Sequence, residues 1–220
     1  MASSKRKASK TKPAKPTLTE ENGLSAQGYK FIAGIDEVGR GSLAGPVVAA
    51  AVILPQPAKF PWLESVRDSK EIPAAKRNIL FTNINEEAIA IGVGVIDHNV
   101  IDSVGILKAT RIAMYQAIEQ LAQPPDFLLI DALTLPRLRT PQKGIIKGDK
   151  LCISISCASI IAKVTRDRIM IELDHVHPGY GFAEHKGYGT KQHLACLQRL
   201  GPSSIHRHSF APVREQYKLI

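Results

Sequence analysis

Apolar residues along the chain fall into short runs that predict a sheet of buried strands. Residues 31–35, 47–54 and 88–96 are almost continuously apolar, and glycine or proline bounds the first two runs. Such runs are typical of central strands, and their spacing favours a three-stranded meander. Residues 127–130 and 151–155 favour two further strands later in the chain. The pattern therefore predicts a five-stranded sheet.

Helical periodicity lies between and after these runs. Residues 74–81 follow Pro73 and are helical in composition, and residues 106–121 place apolar side chains at helical spacing before a Pro-Pro pair. Residues 156–173 and 191–200 predict two more helices. Strands first and a strand–helix–strand crossover later indicate an α/β fold with a mixed sheet flanked by helices.

The length and composition are those of one domain with a basic tail. The chain has 220 residues, of which 44% are hydrophobic, enough for one sizeable core. Six of its nine net positive charges lie in residues 1–19, which contain no acid. We expect residues 1–28 to be a disordered basic tail and residues 29–220 to be the catalytic domain. The tail is either merely solvated or a loose nucleic-acid-binding arm, and the sequence favours neither.

Several sequence features limit the cellular location that we expect for the protein. No apolar run approaches the roughly 18 residues of a membrane span, and the lysine-rich start lacks the apolar stretch of a secretory signal. We therefore expect a cytoplasmic protein with no membrane partner. The three cysteines form no Cys-x-x-Cys pair, and we assign them no chemistry.

Acidic residues stand at the ends of apolar runs, where unpaired carboxylates are costly to bury. Asp36 and Glu37 end the first run, Asp131 ends the fourth, and Asp149 precedes the fifth. In a mixed sheet these ends can meet at one edge. Hard oxygen ligands gathered there suit Mg²⁺ or Mn²⁺, and a pair of such ions supports phosphodiester hydrolysis. Each acid could instead cap a helix or pair with a nearby base.

Glycine and histidine motifs offer competing interpretations. Gly34 and Gly39 have the spacing of a phosphate-binding loop, but Arg40 and Gly41 replace the required Lys and Ser or Thr. A dinucleotide fingerprint from Gly39 onward fails because an apolar strand follows it. Two His-x-His pairs, at 175–177 and 206–208, lack a third ligand at standard zinc spacing.

Longer motifs closely resemble those of the ribonuclease HII family. The stretch from Gly34 to Gly41, Gly-Ile-Asp-Glu-Val-Gly-Arg-Gly, followed by Gly-Pro-Val-Val from Gly45, is similar to the start of that family's sequences. Later segments agree in order across residues 31–210. They are Asp68-Ser69-Lys70, Ile130-Asp131-Ala132, Lys147-Gly148-Asp149, a helical signature at 156–167, and a C-terminal signature from His177 to Thr190. One departure is Gly105, where the family commonly has Asn, so we carry no phosphate contact onto it.

The resemblance implies a ribonuclease H-like fold with a small helical C-terminal extension. It places the metal-binding, catalytic carboxylates on Asp36, Glu37, Asp131 and Asp149, with Mg²⁺ or Mn²⁺ as cofactor and two ions expected. It also implies substrate contacts at Gly39, Arg40, Gly41, Ser69, Lys70 and Tyr188. Tyr188 would stack on the sugar and help sense the 2′-OH, the group that distinguishes RNA from DNA at one position.

The implied activity is endonucleolytic cleavage of RNA/DNA hybrids. Family members cut the RNA strand and also cut 5′ to a single ribonucleotide in duplex DNA, which leaves 5′-phosphate and 3′-hydroxyl ends and serves ribonucleotide excision repair. We expect a monomer whose partner is nucleic acid. Two alternatives stay open: a non-catalytic hybrid-binding module, and a nuclease of the same fold with another specificity. Lys163 and Arg166 are either surface charges or contacts to the nucleic-acid backbone.

Overall fold

The computed structural model describes residues 15–217. The strands are β1 (Ile32–Val38), β2 (Val47–Ile53), β3 (Ala90–Ile96), β4 (Phe127–Asp131) and β5 (Gln142–Ile145). The α-helices are α1 (Thr19–Ala26), α2 (Ala74–Glu87), α3 (His98–Val104), α4 (Ile106–Glu119), α5 (Ile153–Val176), α6 (Phe182–His185), α7 (Lys191–Leu200) and α8 (Ala211–Tyr217). Short 3₁₀ helices cover Pro61–Ser65 and Gly148–Lys150.

The strands form one mixed sheet in the order β3-β2-β1-β4-β5. Strands β1, β2 and β3 are antiparallel neighbours, which confirms the predicted meander. Strands β1, β4 and β5 run parallel to one another. Parallel strands end at the same edge of a sheet, so the carboxyl ends of these three strands lie side by side.

Helices cover both faces of the sheet, as the predicted α/β fold requires. Strand β2 is buried along its whole length and alternates its side chains between two cores. Val48, Ala50 and Val52 pack toward the core under α2 and α5. Val47, Ala49, Ala51 and Ile53 pack toward the core under α4. Both halves of the hydrophobic core thus meet on the strand next to β1.

Gly34 brings α5 unusually close to β1. A Cβ atom at this position would lie 2.1 Å from the backbone carbon of Ser154, a distance that no side chain tolerates. The first turn of α5 therefore rests directly on the strand that carries Asp36. This close approach is a structural reason for glycine within an otherwise apolar strand.

The predicted strand at residues 151–155 is wrong. Helix α5 begins at Ile153, and the fifth strand is β5, which precedes Asp149. A short apolar run cannot be distinguished from the start of a buried helix by its periodicity alone. Strand β5 escaped prediction because it lies at the sheet edge with partly exposed side chains and has no apolar pattern.

Helix boundaries also differ from the prediction. Helix α2 continues to Glu87 and α5 continues to Val176, several residues beyond the predicted ends. Helix α3 was not predicted, although Asp97 caps it by accepting a hydrogen bond from the amide of Val100 at 2.9 Å. The C-terminal region forms three short helices, α6 to α8, and so confirms the expected helical extension.

The predicted disordered tail at residues 1–28 is wrong for its second half. Helix α1 lies there, and its Glu21 is fully buried. The Glu21 carboxylate accepts hydrogen bonds from the Ser154 amide at 2.8 Å and from the Ser154 hydroxyl at 2.7 Å. It thereby caps α5, which has no capping side chain of its own. Residues 1–14 lie outside the described residues, and the two interpretations of their charge stay open.

No helix among residues 15–217 is long and apolar enough to cross a membrane. The three cysteines are free in this part of the chain, and burial raises the pKa of the Cys152 thiol to about 12. A thiol with so high a pKa is a poor nucleophile at neutral pH.

Glu21→Ala should lower the free energy of unfolding by about 1–3 kcal/mol, because it removes a buried acceptor and leaves the Ser154 donors unsatisfied. Glu20→Ala is the matched control, since Glu20 only pairs with Lys143 at the surface, 2.7 Å away. Urea titration of both variants measures the difference. Equal effects of the two substitutions would contradict the capping role.

Candidate active site

Four predicted acids gather at the edge where β1, β4 and β5 end. Asp36 and Glu37 lie near the end of β1, and Asp131 is the last residue of β4. Ile35 pairs with Ile130 in the parallel register, so Asp36 and Asp131 follow on adjacent strands. Asp149 lies in the 3₁₀ helix that follows β5. The prediction placed Asp149 before a strand, whereas it follows one, and the shared edge is the same.

Burial and mutual repulsion raise the pKa values of these carboxyls. Asp36 is only 5% exposed, and its pKa is raised well above the ordinary value by burial, then by the charges of Glu37 and Asp131. Burial also raises the pKa values of Asp131 and Asp149. Burial raises the pKa of Glu37 against the opposing effect of Arg40. The site therefore has a deficit of positive charge.

Hydrogen bonds fix the orientation of the acids. The Glu37 amide donates to Asp36 Oδ1 at 2.7 Å, and the Gly148 amide donates to Asp131 Oδ1 at 2.7 Å. The second bond ties the end of β4 to the turn that carries Asp149. The site is thus held by backbone donors from its own loops.

Two serines that sequence reasoning missed support the site from α5. Ser159 donates a hydrogen bond to Asp36, and its hydroxyl lies 2.9 Å from that of Ser69. Ser156 donates to the backbone carbonyl of Asp149 at 2.6 Å. The sequence pattern that could have indicated them is the occurrence of serines at helical spacing in the apolar start of α5, where all of them are buried.

The acids do not by themselves form a complete ligand shell for a metal ion. Among residues 15–217, no three His, Cys, Asp or Glu side chains form a ready-made metal cluster. Within the same residues, Glu37 Oε2 is buried and has no hydrogen-bond partner. A buried carboxylate oxygen without a donor fits a cation. Mg²⁺ characteristically takes few protein ligands and completes its shell with water and phosphate.

Asp68 and two lysines flank the acids. Asp68 is buried and carries a charge that raises the pKa of Asp149, whereas Lys70 lowers it. Asp68 accepts a hydrogen bond from the Lys70 amide at 3.0 Å and pairs with Lys150 at 3.2 Å. The motif Asp68-Ser69-Lys70 therefore places the exposed Lys70 ammonium within electrostatic reach of the site.

The Ser69 hydroxyl is buried and bonds within the protein. The side chain is only 2% exposed and bonds to Ser159. With Ser159 donating to Asp36, Ser69 is the donor to Ser159, which links the Lys70 loop to the acid. A direct contact between Ser69 and substrate stays a prediction.

The loop Gly39-Arg40-Gly41 borders the acids. Arg40 donates to Glu37 Oε1 at 2.8 Å. Gly39 has φ of +92°, and a Cβ there would lie 2.2 Å from Arg166 Nε, so only glycine fits. Gly41 faces open space. The loop can therefore present backbone and guanidinium donors to a substrate.

Tyr188 lies beside this loop. It is half-buried, it forms an isolated β-bridge with Ser42, and its ring faces the Arg166 guanidinium 5.5 Å away. Arg166 is fully buried, so both interpretations that the sequence left open for it are wrong. Its guanidinium donates to the carbonyls of Pro46, Lys186 and Ala44. Lys163 pairs with Asp167 at 2.7 Å.

Strained backbone occurs next to the predicted site residues. In the described part of the chain, the non-glycine residues with positive φ are Ala132, Lys147 and Lys186. They lie one residue after Asp131, two before Asp149 and two before Tyr188. Such conformations cost about 1–3 kcal/mol each and cluster at functional sites. These three positions are an observation separate from the acids, and they indicate the same region as the functional site.

Comparison with known proteins decides the family. The family model described as Ribonuclease HII matches residues 33–213. A ribonuclease HII from Dehalococcoides mccartyi is 54% identical over 205 residues, which cover 93% of this chain and 97% of that protein. The chain belongs to the ribonuclease HII family. It is therefore an endoribonuclease that degrades the RNA of RNA/DNA hybrids.

Solved structures show that the chain has a ribonuclease H-like fold. The ribonuclease H2 from Pyrococcus horikoshii superposes with a TM-score of 0.70 at 22% identity, covering 86% of this chain and 97% of that one. Bst-RNase HIII in complex with Mn²⁺ superposes with a TM-score of 0.69 at 18% identity, covering 99% of this chain and 77% of that one. The predicted fold class is confirmed.

In buffer with chelator, Asp36→Asn should raise the free energy of unfolding at pH 8 by about 1 kcal/mol, because it removes a buried, repelled charge. The raised pKa means that the wild-type protein loses stability as pH rises through it, and the Asn variant does not. The difference in free energy of unfolding between the Asp36→Asn variant and the wild-type protein should therefore become smaller as pH falls. Glu119→Gln, at an exposed acid, is the control. Thermal melts that show a pH-independent gap would contradict the repulsion.

Proposed function

We propose that the protein cuts 5′ to single ribonucleotides embedded in duplex DNA, as well as within the RNA strand of longer hybrids. The observation that carries the proposal is the meeting of Asp36, Glu37, Asp131 and Asp149 beside a loop bearing Arg40 and a half-buried Tyr188. Cleavage at ribonucleotides in DNA is the chemistry that begins ribonucleotide excision repair.

The four carboxylates would hold Mg²⁺ or Mn²⁺, with two ions expected. The buried, unpartnered Glu37 oxygen and the raised pKa values of all four acids support a cation site. The structure of Bst-RNase HIII in complex with Mn²⁺ adds support from the same fold. When bound, such ions activate water and stabilise the negative charge that develops on the leaving oxygen.

The chain's own groups would bind and orient the nucleic acid. Arg40 and Lys70 supply positive charge at the rim, and the amides of Gly39 and Gly41 can approach the backbone without interference from a Cβ. Tyr188, which is partly exposed, would stack on the sugar of the ribonucleotide. The 2′-OH is the feature that this contact can read.

The products follow from the chemistry of the bond. The water oxygen attacks phosphorus, and the P–O3′ bond breaks as the O3′ leaves with a proton. The phosphate remains on the downstream fragment, which therefore carries a 5′-phosphate, and the upstream fragment ends in a 3′-hydroxyl. No protein nucleophile is needed for this reaction.

Asp131→Asn and Asp149→Asn should each lower Mg²⁺-dependent cleavage of a 5′-labelled duplex with one ribonucleotide by at least about 100-fold, because each removes a ligand charge. Both variants should keep the fold and most of the duplex affinity. Glu119→Gln, which removes an exposed acid far from the edge, is the matched control. Full activity in either Asn variant would end the proposal.

Tyr188→Ala should lower cleavage beside a single ribonucleotide by about ten-fold or more, the loss expected for one stacking contact. Cleavage of a long hybrid should fall less, because a continuous RNA strand offers the enzyme many alternative positions. Tyr188→Phe keeps the ring and isolates the hydroxyl. Single-turnover rates on the two substrates give the ratio. An equal loss on both would count against sugar sensing.

A further inference from the structure

Three buried histidines lie under Tyr188 and have no part in the proposed chemistry. They are His185 in α6, His193 in α7 and His206 in the loop before α8, and each is less than one-tenth exposed. Their rings contact one another and Phe182 in a single aromatic cluster. Buried polar rings need partners, so the partners of each nitrogen define what the cluster does.

The neighbours of His206 fix its tautomer. The Ser203 amide, which can only donate, donates to His206 Nδ1 at 2.9 Å, and the Ser203 hydroxyl, 2.8 Å away, can donate to the same nitrogen. Nδ1 must therefore be the unprotonated nitrogen. A neutral His206 then carries its proton on Nε2, which lies 3.1 Å from His193 Nε2. His206 is the donor between the two rings.

The neighbours of His193 fix the opposite tautomer. Its Nδ1 lies 3.0 Å from the backbone carbonyl of Tyr188, which can only accept. Nδ1 must carry the proton, and Nε2 is then free to accept from His206. The three hydrogen bonds agree in direction: Ser203 N–H to His206, His206 to His193, and His193 to the carbonyl of Tyr188.

His185 holds the other side of the same segment. Its Nε2 donates to the Tyr180 carbonyl at 2.8 Å, and its Nδ1 accepts from the Gly187 amide at 3.2 Å. Its ring stacks on that of His193, with centroids 4.3 Å apart. His185 and His193 thus bond to two consecutive residues of the Gly187–Tyr188 segment.

Both relay rings are held neutral. Burial lowers the pKa of His193 to about 4 and that of His206 to about 3. Neutral rings keep one donor and one acceptor each, which the alternating bonds require. A zinc interpretation of the facing nitrogens lacks a further ligand, since residues 15–217 contain no cluster of three His, Cys, Asp or Glu that could hold a metal.

The cluster connects to the substrate loop through Tyr188. The Leu43 amide donates to the Gly187 carbonyl at 2.8 Å, and Tyr188 bridges to Ser42. Ser42 directly follows Gly39-Arg40-Gly41 in sequence. The position of Tyr188 relative to this loop therefore depends on His185 and His193, whose rings bond to residues 187 and 188.

We propose that His193 and His206 are positioning residues: their neutral hydrogen-bond relay fixes Tyr188 in the orientation that selects a single ribonucleotide. The inference rests on the proposed function, because it concerns how Tyr188 performs its role there. Neither histidine touches substrate. Their effect on cleavage passes through the Tyr188 carbonyl.

A double-mutant cycle tests the path. His193→Leu removes the donor to Tyr188, whereas His193→Asn, although smaller than His, can place its amide nitrogen where Nδ1 was and keep that bond. We expect Leu to lower the single-ribonucleotide to long-hybrid rate ratio about ten-fold and Asn to restore most of it. In a Tyr188→Ala background, Leu should have little further effect on the ratio. An equal effect of Leu in both backgrounds would overturn the proposal.

Side-chain ¹⁵N spectra of the wild-type protein test the relay without any cleavage assay. They should show a proton on Nδ1 of His193 and on Nε2 of His206 at pH 7, and His193→Leu should shift the Tyr188 ring signals while His193→Asn leaves them near their wild-type positions. Reversed tautomers, a missing Nε2 proton, or Tyr188 signals indifferent to Leu would overturn the relay. A normal relay with a Tyr188→Ala variant that keeps full selectivity would overturn sugar sensing instead.

Discussion

The site depends on carboxylates that the fold forces together against their own repulsion. Asp36, Glu37, Asp131 and Asp149 come from three parts of the chain, and burial raises the pKa of each. An arrangement that lowers the stability of the unliganded protein persists only where the surrounding structure outweighs the cost. A bound cation relieves repulsion of this kind, so the same feature that lowers the stability of the protein favours metal binding.

The rest of the molecule holds that edge in place. Gly34 lets α5 rest on β1, and Ser159 on α5 bonds to Asp36. Glu21 caps α5 from the N-terminal helix, 133 residues away in sequence. Two fully buried arginines, Arg166 and Arg207, donate to backbone carbonyls of the loop that includes Arg40. The hydrogen bonds among these contacts join residues that are distant in sequence, and they hold the elements of the site together.

The sequence predicted what local patterns encode. The meander, the long helix α4 and the acids at strand ends follow from apolar runs and from the cost of burying charge, and the family motifs supplied the substrate loop. The predictions were wrong where contacts between distant residues determine the structure. The start of α5 depends on a cap from Glu21, and β5 is an edge strand without an apolar pattern. Arg166 is buried, although its position on α5 indicated a polar face. The histidine relay joins residues from α7 and the loop before α8, so no short motif reveals it.

The proposed activity requires that the four acids share a cation site. The most direct measurement is a crystal of the wild-type protein soaked in Mn²⁺, with the ions located by anomalous scattering. We expect anomalous peaks in contact with Asp36, Glu37, Asp131 and Asp149, and no such peaks in an Asp36→Asn crystal soaked in the same way. Peaks that lie elsewhere on the protein, or an empty edge at saturating Mn²⁺, would contradict it.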